Sequence, residues 1–86
     1  MGSFPQNIWN QLKNKTAADL ISALLKDGFA LDVKVKTERV YWHPDGRRVL
    51  IHYHTGSTDY GRSLLKALLK DTGWSENDMR QLKLIK

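Results

Sequence analysis

The sequence contains no cysteine, so neither a disulfide nor a thiolate metal site can hold the fold together. That absence fits a cytoplasmic protein. No apolar run approaches the roughly 20 residues that cross a bilayer, and the N-terminus lacks a charged-then-apolar leader. The chain is therefore read as soluble and unprocessed, with no membrane role. Met1-Gly2-Ser3 opens like an acylation signal, but Gln6 stands where serine or threonine is required. Internal repeats and low-complexity tracts are missing. Proline is limited to Pro5 and Pro44, and the three histidines, His43, His52 and His54, all fall within one short stretch.

What is present is basic charge. The 86 residues carry a formal net charge of +5 and a sequence pI near 9.7, a balance that points to polyanionic partners, nucleic acid among them. The length suits one small domain whose single hydrophobic core is only just sufficient. The expected organisation is an N-terminal arm over residues 1–15, packing Trp9 onto the body, followed by one domain over residues 16–86. Pro5 and the Ile8–Leu12 spacing also allow a short helix within the arm.

Thr16 is a good N-cap, with Asp19 in capping-box position, and Ala17, Leu20, Ile21, Leu24 and Leu25 recur at helical spacing up to a C-capping Gly28. From Phe29 to Val35 the period changes to two. Leu31, Val33 and Val35 alternate with Asp32, Lys34 and Lys36, which predicts a half-buried strand. Two further strands flank the Pro44-Asp45-Gly46 turn, with Trp42 expected in the core. After a loop over residues 55–61, Leu64, Leu65, Leu68 and Leu69 mark a second amphipathic helix that ends at Gly73. Ser75 and Asp78 cap a short third one. The tail, Lys83 to Lys86, gives no signal. The order predicts an α+β double-stranded-RNA-binding-like sandwich, α-β-β-β-α, with a three-stranded antiparallel sheet on two helices plus a short C-terminal helix.

The segment from Tyr41 to His54 concentrates aromatics, arginines and imidazoles in one hairpin, and its loop length sets which face each residue uses. A two-residue loop places His52 opposite Thr37. A three-residue bulged loop places it opposite Glu38. His54 lies two residues further along the same face.

Thr16-Ala17-Ala18-Asp19-Leu20-Ile21, Gly28-Phe29, His43-Pro44-Asp45-Gly46-Arg47-Arg48-Val49, and Leu64-Leu65-Lys66-Ala67-Leu68-Leu69 with Gly73 together resemble the HicA family of bacterial toxins. The resemblance implies a double-stranded-RNA-binding-like fold, cleavage of messenger RNA, and neutralisation by a HicB-like antitoxin. It also implies a catalytic histidine in a Gly-Ser-His motif at the start of the second strand. That motif falls here on Lys36-Thr37-Glu38, so glutamate stands at the histidine position, and no histidine lies between Gly28 and Tyr41.

The candidate catalytic residues are therefore Glu38, at the family position, with His52 and His54 as substitutes, since imidazole titrates close to working pH. A zinc site from Glu38, His52 and His54 has ligands of the right type but too little spacing information. No metal or cofactor is expected. Lys34, Lys36, Arg39, Arg47, Arg48, Lys66 and Lys70 are the candidate phosphate contacts, and Tyr41 a candidate stacking residue. The competing reading is a catalytically inactive protein-interaction module that retains the fold.

Overall fold

A computed structural model describes residues 4–53 and 61–86. The elements run α1 (Gln6–Leu12), α2 (Ala17–Asp27), β1 (Ala30–Val35), β2 (Glu38–Trp42), β3 (Arg48–His52), α3 (Arg62–Thr72) and α4 (Glu76–Gln81). The strands form one antiparallel sheet in the order β1-β2-β3, and α2 and α3 both pack against β3. This is the expected α+β layout, with one helix added at the front. His54 and most of the expected 55–61 loop lie outside the described residues.

Helix α2 begins where its chemistry says it should. The Thr16 hydroxyl accepts from the Asp19 N–H while the Asp19 carboxylate accepts from the Thr16 N–H, closing a reciprocal capping box. Its end is set by Gly28 in the left-handed region, where the Phe29 N–H reaches back 2.9 Å to the Leu24 carbonyl. Ser75 and Asp78 build the same box at the start of α4. Ala17, Leu20 and Leu24 are buried as expected, but Leu25 is exposed, and Ala23 occupies the buried stripe in its place.

Residues 4–15 carry a helix of their own. Pro5 precedes a true helix, and Ile8, Trp9 and Leu12 sink into the main core beside Leu20, Leu24, Leu65 and Met79. The tail also belongs to the core. Lys83 takes φ +67°, its N–H bonds the Arg80 carbonyl and the Leu84 N–H bonds the Met79 carbonyl, a Schellman closure that turns Leu84 and Ile85 inward. Each such fully buried aliphatic side chain contributes roughly 1.5–3 kcal/mol, so α1 and the Leu84–Ile85 segment both stabilise the body.

Strand β1 departs from the expected half-burial, for all six of its residues are exposed. Leu31 pairs with Tyr41 whereas Val33 pairs with Val40, leaving Asp32 as an extra residue between them. This bulge breaks the alternation. Leu31 falls on the helix-facing side with Tyr41, while Val33 and Val35 fall on the open side with Val40 and Glu38. The strand is also the edge farthest from β3, on which the helices sit.

Candidate nucleic-acid interface

The hairpin register follows from its loop. The Gly46 N–H bonds the His43 carbonyl at 2.9 Å, the His43 N–H bonds the Arg47 carbonyl at 2.9 Å, and Gly46 adopts φ +101°. That is a turn over Pro44-Asp45-Gly46 closed by a left-handed glycine, the three-residue bulged loop, which only a residue tolerant of positive φ completes cheaply. The resulting pairs are Glu38–His52, Arg39–Ile51, Val40–Leu50, Tyr41–Val49 and Trp42–Arg48. Val49 and Ile51 are fully buried under the helices. Glu38, Val40, Trp42, Arg48, Leu50 and His52 therefore share the opposite, open face.

On that face Glu38 is the first residue of β2, directly across from the exposed His52 at the end of β3. Trp42 is 43% exposed, not in the core as expected, because it has the parity of Val40 and Leu50 rather than of Tyr41. Arg48 sits with its guanidinium 5.8 Å from the Trp42 ring centroid. Val33, Val35 and Leu50 are exposed around them, which makes the face both aromatic-basic and apolar.

Two of the expected binding residues have other partners. Tyr41 is only 3% exposed and lies in the core, so its ring has no face open to a base. Burial raises its phenol pKa, and the charge and hydrogen bond of Arg39 offset part of that rise. Arg47 is held by the protein itself. Its Nε lies 2.7 Å from Asp45 Oδ2, Nη2 lies 3.1 Å from Asp27 Oδ2, and Nη1 donates to the Thr72 carbonyl at 2.6 Å. The guanidinium also stands 5.0 Å from the Phe29 ring. Its planar fork ties the hairpin to the C-terminal ends of α2 and α3.

His43 completes this root. Its Nε2 lies 2.8 Å from the Asp27 carbonyl oxygen, and its Nδ1 accepts from the Asp45 N–H at 3.1 Å. Facing a carbonyl oxygen, which can only accept, Nε2 carries a proton and donates to it. Asp45 Oδ1 also lies 3.0 Å from Nδ1, a contact that becomes an ion pair only when the ring is protonated. The imidazole and the Phe29 ring meet in a T-shaped contact with centroids 5.1 Å apart, and a Cβ at Gly28 would lie 3.0 Å from the His43 Nε2. His43 is thus structural. Trp74 Nε1 donates to Asp27 Oδ2 at 3.0 Å and closes the network, a contribution from Asp27, Thr72 and Trp74 with no signal in the local sequence. Desolvation pushes the Asp45 carboxyl up, but the backbone N–H and guanidinium of Arg47 outweigh it and hold the group below its ordinary value.

The remaining cations divide between surfaces. Lys34 pairs with Arg39 on the helix-facing side of the sheet edge, where Arg39 lies 3.7 Å from the Tyr53 ring centroid. Lys36 is in the β1–β2 turn, and Lys66 and Lys70 are exposed on α3. Among the described residues no cluster of three or more His, Cys, Asp or Glu is placed to hold a metal ion. No helix among them is long and apolar enough to cross a membrane.

A comparison with the curated proteins returned no match. The family model described as the HicA toxin of bacterial toxin–antitoxin systems matches residues 17–74, from the first residue of α2 through the sheet and α3 to the Trp74 that closes the Arg47 network. With that segment making up most of its length, the chain belongs to the HicA toxin family of bacterial toxin–antitoxin systems.

Proposed function

We propose that this protein is an RNA-binding member of its toxin family whose cleavage of RNA is weakened or lost. It acts in the cytoplasm on messenger RNA and pairs with a HicB-like antitoxin. The observation that carries the reading is Glu38 at the head of β2, the position where the family resemblance calls for histidine. Cleavage through the 2′-hydroxyl needs a base to take its proton while the oxygen attacks phosphorus, and an acid to protonate the departing 5′-oxygen. A carboxylate is a weaker base for that task than an imidazole. His52, directly across the ladder from Glu38, is the residue best placed to act in its stead, and His54 follows it in the chain.

Binding is assigned to the exposed Lys34, Lys36, Arg48, Lys66 and Lys70 and the half-buried Arg39 as phosphate contacts, with Trp42 as a stacking platform. A second reading, an inactive protein-interaction module, is favoured by the exposed Val33, Val35 and Leu50, which suit a protein surface better than phosphates. Purified protein incubated with RNA beside the Glu38→His and His52→Ala variants separates these readings. Binding that falls steeply with salt, with cleavage gained in Glu38→His, supports the first. Absence of RNA binding at low salt leaves the interaction module. Residual wild-type cleavage that survives His52→Ala removes that histidine from the mechanism.

A further inference from the structure

A groove of about 540 Å³ opens where the end of α1, α4 and the tail meet, walled by Gln11, Lys15, Arg80, Lys83 and Lys86. Every one of these residues lies outside the family segment 17–74. Arg80 is occupied, pairing with Glu76 and donating from Nε to the Lys86 carbonyl at 3.0 Å. The Gln11 amide oxygen accepts from the Lys86 N–H at 2.8 Å and fixes the tail in place. Lys15, Lys83 and Lys86 have no side-chain ion pair among the described residues, so three ammonium groups share the lining of one concave surface. A second observation points the same way. Lys83 is the one non-glycine residue with positive φ among those described, at the Schellman position where glycine is cheapest and a long side chain carries a steric cost. A residue kept in a costly conformation beside a charged groove is a sign that its side chain has a use.

We propose that this groove binds the phosphodiester backbone of RNA, with Lys15, Lys83 and Lys86 as point charges on neighbouring phosphates. Ammonium groups spread along an open wall suit a continuous polyanion, which needs no fixed fork geometry. The proposal rests on the RNA-binding reading above and extends the contact surface to elements that flank the family segment.

The test is fluorescence anisotropy of the full chain with a labelled single-stranded RNA across a salt series, alongside thermal melts. The Lys15→Gln/Lys83→Gln/Lys86→Gln variant should lose affinity on the order of tenfold and flatten the log–log salt slope by about 2. Lys83→Gly should raise Tm by roughly 4 °C while weakening binding about twofold to threefold, opposite signs that a merely structural lysine would not give. An unchanged affinity and slope in the triple variant, or Lys83→Gly gaining stability with no loss of binding, overturns the proposal. The sheet is scored separately with Trp42→Ala/Arg48→Gln. Loss of binding there with the groove variant unaffected overturns the groove alone. Loss only in the groove variant upholds the groove and overturns RNA contact at the sheet. No wild-type binding at low salt overturns both.

Discussion

Arg47 and Arg48 are neighbours in the chain, and their surroundings could hardly differ more. Arg47 lies at the root of the hairpin, every arm of its guanidinium taken up by Asp45, Asp27 and the Thr72 carbonyl. Arg48 begins β3 on the open face, with the Trp42 ring beside it and water in front. The root is a polar network that joins the hairpin to α2 and α3, and the open face presents exposed apolar, aromatic and charged side chains to solvent. A single peptide bond separates a structural cation from a candidate binding cation, so basic composition alone says nothing about which is which.

The contrast can be broken most directly at the root. Arg47→Ala leaves Asp27 and the Thr72 carbonyl without their donor and should cost about 2–3 kcal/mol, read as a fall in the urea midpoint. Arg48→Ala should stay within about 0.5 kcal/mol of wild type. Equal effects would dissolve the distinction. Gly28→Ala comes next. A Cβ there meets His43 Nε2 at 3.0 Å in a backbone with φ +107°, and roughly 2 kcal/mol should be lost, with Gly28→Asn less harmful.

How much of this was legible in the sequence depends on the residue. Thr16 with Asp19, Ser75 with Asp78, and Gly28 and Gly73 mark helix ends through local hydrogen bonding and backbone conformation, and local chemistry is what a sequence displays. The fates of Leu31, Trp42 and Leu25 depend on how far the helices reach and where one extra residue enters a strand. The bulge at Asp32 is unmarked by glycine or proline, so an even alternation of apolar residues concealed a change of face. The position of Glu38 at the head of β2 follows from turn spacing, whereas its pairing with His52 required the loop length at Pro44-Asp45-Gly46. Leu84 and Ile85 are too short a run for any period and are buried only because Lys83 turns the chain back.

A smaller effect sharpens the comparison from the side of the open face. Trp42→Ala should leave the melting temperature nearly unchanged and weaken single-stranded RNA binding by about 1–2 kcal/mol. A large loss of stability would instead make Trp42 a packing residue. The smallest effect concerns acid. The Asp45 carboxyl is held below its ordinary value of 3.8, so its contribution to stability is present above that value and disappears as pH falls through the lower folded pKa. Asp45→Asn should remove this part of the acid limb while leaving the shape of the curve at neutral pH unchanged.

The proposed function has the toxin fold binding RNA but lacking a catalytic base at Glu38. Gel analysis of RNA incubated with wild type and Glu38→His, at protein concentrations where both bind, tests it directly. The expected result is RNA bound but little cut by the wild type, and cleavage gained by Glu38→His. Wild-type cleavage as fast as that of the variant would contradict it.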